Sequence, residues 1–307
     1  MSGADGAPAM RRVVACGLAT LDVVQYVAHV PGPDEKVVAD ELLVAAGGPA
    51  LNAALTARAL GVAATLVAHV GHGPVADLVR AELAASDVAL VDVAGPTGAP
   101  PVSSVLVTTS TGERAVVSVN AAGVVERPEI DVDVLAGADA LLVDGHLMAA
   151  AVALGSAARE RGVCVLLDAG SWKPGTEALL AHVDVAALSA DFTLDGALVG
   201  DLAQVAALGP SWVVRTHGPG AVELHDARTG TTTTRLVAPA TVVDTLGAGD
   251  VFHGALLAAL AGLGPRPHAR AMAQAVDGAV RVAGWSVRYA GARGWVGGPE
   301  HHAATAR

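Results

Sequence analysis

Residues 138–170, ADALLVDGHLMAAAVALGSAARERGVCVLLDAG, place two apolar runs on either side of an Ala-rich segment. Apolar runs without polar alternation predict strands that are buried on both faces, as in parallel sheets covered by helices. The segment between them, 148–161, is long enough to form the crossover helix that two parallel strands require. This stretch therefore predicts a strand–helix–strand unit and an α/β fold.

The same alternation continues along the chain in both directions. It predicts further strands and helices, the strands at 11–18, 64–71, 163–170, 184–189 and 212–218, and the helices at 50–61, 74–86 and 175–182. Alternating strands and helices predict a doubly wound, mostly parallel sheet with helices on both faces, which is a three-layer fold of the Rossmann type.

Two segments depart from this pattern. Residues 20–46 and 101–120 alternate apolar and polar side chains and contain the turn signals PGPDE and STGER. Alternation of this kind predicts strands with one solvated face, so four such strands would form a small inserted β-sheet. A small sheet above the carboxyl ends of parallel strands is a candidate lid. We therefore predict an α/β domain of 1–19, 47–100 and 121–307 and a lid made of the two alternating segments.

Composition excludes several classes of protein. Hydrophobic residues make up 52% of the 307-residue chain, charged residues 16%, and the net charge is −11, so disorder, nucleic-acid binding and binding to anionic membranes are disfavoured. The longest apolar stretches, such as 252–264, fall short of the roughly 20 residues that span a bilayer. Cys16 and Cys164 lie in apolar runs, which predicts buried thiols. Together with the absence of a secretory h-region in 1–10, they predict a cytoplasmic protein.

The stretch VVDTLGAGDVFHGAL, residues 242–256, carries the first functional signal. Its apolar start predicts a strand that ends near Val243, followed by a turn at 247–249 and a helix that begins near Asp250. A helix N-terminus attracts anions, and glycines allow a ligand to approach the backbone closely. A tight turn with Asp250 as a helix cap would also account for these residues.

A carboxylate beside an anion-binding turn has the two parts that phosphoryl transfer requires: a group that accepts a hydroxyl proton and donors that hold phosphoryl charge. Asp244, Thr245, the small residues that follow and DVFHGAL resemble the second signature of the PfkB (ribokinase-like) carbohydrate kinases. The resemblance implies that Asp250 is the catalytic base and that an anion hole is formed by the amides of Gly247, Ala248 and Gly249. It also implies that Thr245, Gly247 and Gly249 contact the nucleotide.

A second stretch, GGPALNAALTARALGVAATLVAHVG at 47–71, resembles the N-terminal signature of the same family. The resemblance implies that Gly47, Gly48 and Asn52 bind the sugar. The side-chain amide of Asn52 offers both a donor and an acceptor to sugar hydroxyls. Asp22 follows the first strand, where the family has a hydroxyl-binding aspartate. Outside this context the glycines would be a loop, Asn52 a residue near a helix cap and Asp22 a turn residue.

Further candidates for the sugar site are Asn120, Arg114 and His146, of which Asn120 is the one we assign to substrate binding. Arg114 lies in a predicted hairpin turn, where a solvated charge is the usual outcome. His146 follows a strand at its carboxyl end. His253, in the helix after the anion-binding turn, is predicted to be packed and not catalytic.

The resemblance implies ATP as the phosphoryl donor, used as its magnesium complex, but the metal ligands remain unassigned. The family carries an Asn-x-x-Glu motif that helps to organise magnesium, and this chain has SADF at 189–192, with Phe192 in place of the glutamate. Magnesium would then be held mainly by the nucleotide and water. RTHGPGAV, 215–222, resembles the turn beside ATP, and the implied nucleotide contacts are Ser189, Thr216, Gly218 and Gly220. Activation by a monovalent cation such as K⁺ is compatible with the family.

The substrate and the partners follow from the predicted lid. It contains one aromatic residue, Tyr26, and few cations, which disfavours a stacked nucleoside and a phosphorylated sugar and leaves a neutral sugar. The stretches VLLDAG and VVDTLGAGDVFHGALLAALA are similar to ketose kinases of the ketohexokinase and sulfofructose kinase type. Open strand edges need covering, so we expect a homodimer formed through the lids.

Three alternatives stay open at this point. A nucleoside kinase would share the fold. Residues 71–76, GHGPVA, fit the dinucleotide fingerprint, with Asp92 about 20 residues further on, so an NAD(P)-dependent dehydrogenase is possible. A pseudokinase would bind sugar or nucleotide without catalysis, although the intact Asp250 counts against it.

Overall fold

The computed structural model describes residues 10–95, 98–121, 130–194 and 196–305. Within these residues the chain forms fifteen strands: β1 (Arg12–Gly17), β2 (Thr20–Val27), β3 (Glu41–Gly47), β4 (Ala63–Ala68), β5 (Ala89–Asp92), β6 (Val102–Thr108), β7 (Arg114–Ser118), β8 (Ala140–Val143), β9 (Cys164–Ala169), β10 (Val185–Leu188), β11 (Thr193–Leu194), β12 (Ala197–Leu198), β13 (Trp212–Arg215), β14 (Val222–Asp226) and β15 (Thr231–Arg235). The helices are α1 (Pro49–Ala59), α2 (Pro74–Ala85), α3 (Met148–Glu160), α4 (Thr176–Leu180), α5 (Leu202–Ala206), α6 (Ala248–Leu260), α7 (Ala269–Ser286) and α8 (Pro299–Thr305), with a short 3-10 turn at Val132–Leu135.

Nine strands form the main sheet, in the order β15-β14-β13-β10-β9-β8-β1-β4-β5. The pairs from β5 to β13 are parallel, and the two pairs at the other edge, β13 with β14 and β14 with β15, are antiparallel. The central strands β8, β9 and β10 are buried along their whole length. Burial on both faces explains why these strands are continuously apolar.

Helices cover both faces of this sheet. One apolar core lies under α1, α2, α6 and α7, and a second core lies under α3, α4 and α5. The predicted three-layer, doubly wound fold is therefore confirmed. Both cysteines are buried, as their apolar context predicts. Within the described part of the chain, no helix is long and apolar enough to cross a membrane.

Four strands form a second sheet, which we call the small sheet, in the order β3-β2-β6-β7. Strands β2 and β6 pair in parallel and the two outer pairs are antiparallel, so the small sheet is mixed. All four strands come from the two alternating segments at 20–46 and 101–120, and only β3 extends one residue further, to Gly47. The division of the chain into two domains, and the closing of the small sheet as a lid, stay predictions; residues 1–9 of the predicted α/β domain lie outside the described residues.

The structure corrects the sequence prediction around the anion-binding turn. No strand ends at Val243: Val242 and Val243 are exposed and lie in the loop between β15 and α6. The amides of Val243 and Asp244 donate to the Val287 carbonyl at 2.7 and 3.2 Å, which ties the loop to one residue at the end of α7 instead of forming a ladder of strand pairs. Helix α6 begins at Ala248, so Ala248 and Gly249 belong to its first turn.

Candidate active site

A cavity of about 530 Å³ lies between the inner face of the small sheet and the N-termini of α1 and α6. Six of the residues predicted from the sequence line it, namely Asp22, Gly48, Asn52, Asn120, Gly247 and Asp250. They come from segments up to 228 positions apart, since Asp22 lies on β2 and Asp250 in the first turn of α6. The fold thus brings the two sequence signatures to one cavity.

Asp250 is half-buried, and its Oδ2 accepts a hydrogen bond from Asn52 Nδ2 at 2.7 Å. Burial and the nearby carboxylate of Asp168 raise the pKa of Asp250 to about 6. The hydrogen bond from Asn52 and the charges of His253 and Arg114 oppose this rise. Asp250 is therefore ionised at neutral pH and still has a pKa suited to accepting a proton.

A guanidinium behind Asn52 fixes the orientation of its amide. Arg293 Nη1 donates to Asn52 Oδ1 at 2.9 Å, and Arg293 Nη2 donates to the Ala46 carbonyl at 2.8 Å. Arg293 also forms an ion pair with Glu82, which accepts the Ala46 amide. Because the guanidinium can only donate, the amide oxygen of Asn52 must face it and the amide nitrogen must face Asp250. Sequence reasoning missed Arg293, which lies alone between small residues near the C-terminus.

The turn before Asp250 leaves backbone donors free. Gly247 is the N-cap of α6 with φ 72°, and a Cβ at this position would lie 2.5 Å from Ala292 Cβ. The Ala248 amide donates to the Thr245 carbonyl at 3.2 Å, whereas the amides of Gly247, Gly249 and Asp250 have no acceptor among the described residues. No side chain caps this helix, so the interpretation of Asp250 as a helix cap is wrong. Free amides at a helix N-terminus form a ready anion site.

Gly47 lies against the Asp22 carboxylate, and its predicted contact with a sugar stays a prediction. It does not line the cavity, and a Cβ there would lie 1.9 Å from Asp22 Oδ2. Gly47 therefore makes room for the Asp22 carboxylate, which accepts a hydrogen bond from Thr20 Oγ1 at 2.7 Å and lines the cavity. Gly48 lines the cavity directly.

Two side chains of the small sheet hold the loop that precedes α6. The buried Asp244 accepts three hydrogen bonds at 2.8 Å, from the Tyr26 hydroxyl on β2, the Gly291 amide and the Leu246 amide. Burial and the hydrogen bond to Asp244 raise the pKa of the Tyr26 phenol, which stays a neutral donor. The turn before α6 is thereby tied to the small sheet through its own loop.

Arg114, on β7, makes the second of these links by donating to the Thr245 carbonyl at 2.9 Å. The Thr245 side chain is exposed and its carbonyl serves this contact and the turn. His146, a further sugar-site candidate, does not line the cavity; its Nδ1 lies 3.2 Å from Asp144 Oδ1.

A buried carboxylate and a buried imidazole lie in contact behind Asp250, and sequence reasoning missed the carboxylate. Asp168 is at the carboxyl end of β9, and its Oδ2 lies 2.9 Å from His253 Nδ1, one turn after Asp250 on α6. Although burial lowers the pKa of His253, the charges of Asp168 and Asp250 raise it overall. His253 is packed, as predicted. The position of Asp168 at the carboxyl end of a predicted strand was the signal available in the sequence.

Asp168, Asp250 and His253 each offer an atom within 4.8 Å of the others, which is the geometry of a potential metal site. Magnesium prefers oxygen ligands and keeps several waters, so a buried set that includes an imidazole does not fit it. Phe192, in the place of the family's glutamate, is buried and packs against Trp172 with ring centroids 6.2 Å apart. We assign none of the described residues to Mg²⁺ and derive no step through the ion.

The predicted nucleotide contacts lie along one edge of the main sheet. Ser189 follows β10 and donates from its hydroxyl to the Gly170 carbonyl at 3.0 Å. Thr216 follows the neighbouring strand β13, and its amide donates to the Leu188 carbonyl at 3.0 Å. Gly218 and Gly220 are exposed in the next turn. These four residues do not line the cavity, and they leave an open edge at the carboxyl ends of two adjacent strands.

Backbone amides around the dinucleotide fingerprint at Gly71 already donate hydrogen bonds to a carboxylate of the same chain. The Asp92 carboxylate accepts the amides of Val70 at 3.1 Å, Gly71 at 2.9 Å and Ala94 at 2.9 Å, and it contacts Arg80. The His72 amide donates to the Gly98 carbonyl at 2.8 Å, so the first amides of this glycine-rich turn, at 70–72, are already engaged within the protein. The acidic residue that completed the dinucleotide fingerprint therefore holds this turn in place.

Comparison with known proteins agrees with this geometry. A family model described as pfkB family carbohydrate kinase matches residues 10–296. The fold is similar to that of a protein from Agrobacterium tumefaciens, with a TM-score of 0.83 and 24% identity over 96% of both chains. It is also similar to the ribokinase of Arabidopsis thaliana, solved with ribose and ATP, with a TM-score of 0.75 and 19% identity over 96% of this chain and 97% of that one. Aminoimidazole riboside kinase from Salmonella enterica gives a TM-score of 0.72 and 16% identity over 96% and 100%.

Proposed function

Because the chain belongs to the pfkB family of carbohydrate kinases, we propose that it transfers the γ-phosphoryl group of ATP to a hydroxyl of a small neutral sugar, with Asp250 as the base. One observation carries this proposal: a half-buried carboxylate lines a cavity beside backbone amides that have no acceptor among the described residues. That pairing supplies a proton acceptor and an anion site at one point.

The proposed reaction uses the residues as follows. Asp250, oriented by Asn52, takes the proton from the sugar hydroxyl. The sugar oxygen then forms a bond to the γ-phosphorus of ATP, the bond from that phosphorus to the bridging oxygen breaks, and ADP leaves. The amides of Gly247, Gly249 and Asp250 hold the charge on the moving phosphoryl group. Magnesium, bound with the nucleotide, would neutralise phosphate charge.

A neutral sugar suits the charges at the cavity. Asp22 and Asn120 offer polar groups to hydroxyls at the small-sheet side. Arg293, which lines the cavity, is paired with Glu82, so its charge is not free to bind a phosphate or carboxylate on the substrate. A ketose is one member of this class. Adding K⁺ to an assay of ADP release tests whether a monovalent cation activates the protein.

A nucleoside kinase is the second candidate within the fold, since one structural neighbour is solved with aminoimidazole riboside and an ATP analogue. The cavity wall next to the sugar-binding groups is aliphatic, with Val24, Leu43 and Leu246. Aliphatic side chains can pack on a base but do not stack on it as aromatic rings do, and this favours a sugar.

We also propose that a second copy of the chain covers the outer face of the small sheet. Val44, Val23 and Val117 lie in one cross-strand row on that face, since Val44 pairs with Val23, Val23 with Ser104 and Ser104 with Val117. Val117 is 76% exposed, and Leu42, which lies two residues before Val44 on β3, is 61% exposed. Such an apolar sheet face indicates a protein interface. Sedimentation should give a dimer, and Val117→Glu a monomer; a monomeric wild type at micromolar concentration would exclude the interface.

The test of the kinase proposal is ADP release in the presence of ATP, Mg²⁺ and a panel of D-fructose, D-ribose, D-glucose and aminoimidazole riboside. We expect stimulation by a sugar and a loss of at least about 1,000-fold in kcat for Asp250→Asn. Asp77→Asn is the matched control, because Asp77 also lies in the first turn of a helix with a glycine N-cap, at α2. Wild-type turnover in Asp250→Asn would refute the base, and stimulation by the riboside alone would replace the sugar with a nucleoside.

A further inference from the structure

Resting on the proposed role of Asp250, we propose that Asp168 and His253 are positioning residues for the base: a buried imidazolium held between two carboxylates keeps Asp250 ionised and in place. The proposed reaction assigns no role to either residue. Neither lines the cavity, so neither would touch the sugar.

The geometry points to a single electrostatic unit. His253 is 8% exposed and Asp168 is 6% exposed, and His253 Nδ1 lies 2.9 Å from Asp168 Oδ2. One atom from each of Asp168, Asp250 and His253 lies within 4.8 Å of the others. No group among the described residues makes a well-aligned hydrogen bond to the ring nitrogens of His253. The nearby carboxylates of Asp168 and Asp250 therefore offset the cost of burying this polar ring. A buried polar ring is retained at low cost only where such compensation exists.

The surroundings of the unit add one further charge. Arg114 acts on Asp250 from β7 of the small sheet, and Asn52 approaches from α1 without a charge. Strand β8 and the buried positions of α7, which pack against α6, are uncharged. Asp168 and His253 are thus the groups on the core side that can change the ionisation of Asp250.

The two residues act in opposite directions on the base. A protonated His253 leaves one net negative charge on the three residues, whereas a neutral side chain at 253 leaves two carboxylates facing each other. His253→Asn should therefore keep Asp250 protonated up to a higher pH, and Asp168→Asn should release its proton at a lower pH. A role in packing alone would lower kcat or stability in both variants without moving the pH dependence in opposite directions.

Nitrogen NMR of the histidine rings tests the ionisation without any substrate. In ¹⁵N-histidine protein we expect the His253 ring to be doubly protonated at pH 7, and to lose its second proton at a lower pH in Asp168→Asn than in the wild type. A neutral His253 in the wild type at pH 7 would overturn the proposal. Because this arm needs only the wild-type protein, it remains decisive if the His253 variant does not fold.

Kinetics test the consequence for the base. With ATP, Mg²⁺ and the panel sugar of highest turnover, kcat should be measured from pH 5 to 9. We expect the acid limb to move up by about one pH unit in His253→Asn, which is roughly a tenfold loss at pH 5.5, and to move down in Asp168→Asn. An unmoved limb in both variants would contradict the proposal. His225→Asn is the matched control, because His225 is also buried but lies on β14 and bonds Thr232. If Asp250→Asn retains activity, the proposed function itself has failed, which is a separate outcome.

Discussion

Two glycine turns in this molecule have similar local geometry but differ in whether their backbone amides are hydrogen-bonded within the protein. Gly73 and Gly247 are both N-caps with positive φ, and neither helix, α2 or α6, has a side-chain cap. In the turn that leads to α2, the amides of Val70 and Gly71 donate to the chain's own Asp92, and the His72 amide donates to the Gly98 carbonyl. At α6 the amides of Gly249 and Asp250 have no acceptor in the described chain. A glycine-rich turn before a helix therefore becomes a ligand site only where the rest of the fold leaves its donors free.

The pKa values separate the two turns as well. Although burial raises the pKa of Asp92, hydrogen bonds from the amides of Ala94, Val70 and Gly71 hold it below its usual range. Burial and Asp168 raise the pKa of Asp250 to about 6. The first carboxylate is stabilised in its ionised form and holds a loop together, while the second is destabilised as an anion and is available to accept a proton.

Of the changes that test the contrast between the two turns, filling the turn before α6, whose amides are free, should have the largest effect. Gly249 has nothing within 4 Å of the place of a Cβ, so Gly249→Asp should fold normally. Its carboxylate would occupy and repel the anion site, and we expect kcat/KM for ATP to fall at least about 100-fold. Gly249→Ala, which adds bulk without charge, should lose less. Equal ATP kinetics in Gly249→Asp and the wild type would show that these amides do not meet the nucleotide.

Removing the carboxylate that holds the turn before α2 should lower the stability of the protein and leave catalysis intact. Asp92→Asn removes the charged acceptor of three amides and the partner of Arg80, which should lower the free energy of unfolding by about 1 to 3 kcal/mol at pH 7. Because the folded pKa of Asp92 is depressed, this loss should shrink as the pH falls below its unfolded value near 4. Denaturant unfolding at pH 7 and pH 3 measures the difference, and a matching fall in kcat would contradict the contrast between the turns.

Asp250→Asn should do the reverse and stabilise the protein. The folded pKa of Asp250 is raised, so its ionisation costs stability as the pH rises from about 4 to 6, and the full cost is present above 6. Removing the charge should add about 2 kcal/mol at pH 8 and nothing at pH 4. Thermal unfolding at the two pH values checks this, and an equal change at both would show that the raised pKa is not the cause.

A smaller effect is expected where the small sheet holds the open turn. Tyr26→Phe removes the hydroxyl that donates to Asp244 at 2.8 Å. We expect a loss of about 1 kcal/mol in stability and a several-fold fall in kcat/KM, because the loop before α6 loses one of its ties. Val107→Ala, a neighbouring position on the same small sheet, controls for packing; a kinetic loss as large there would assign the effect to packing.

The sequence alone was sufficient for the architecture and for the cavity's best-defined members. Apolar runs such as 138–145 report burial on both faces, so strand positions and the three-layer fold could be read locally. Asp22, Asn52 and Asp250 lie in short motifs whose spacing is itself informative. Strands β14 and β15 were missed, because a polar run such as TTTTR at an exposed sheet edge carries no burial signal.

Contacts between distant segments were beyond the sequence. Arg293 is 241 positions from Asn52, and Asp168 reaches His253 only because β9 ends beneath α6. Gly47 shows a subtler limit: its motif was recognised, but its use, to admit the Asp22 carboxylate, depends on the pairing of β2 with β3. A contact between side chains that are far apart in the sequence produces no periodic pattern in either local stretch of sequence.

The central claim is that the carboxylate at residue 250, and no other group, takes the proton in the open turn. The pH dependence of wild-type kcat, measured with ATP and the panel sugar of highest turnover, tests it most directly. The account predicts a single acid limb with its midpoint near pH 6, since burial and Asp168 raise the pKa of Asp250 to about 6, and a tenfold loss per pH unit below it. A kcat that stays flat from pH 5 to pH 8 would contradict the account.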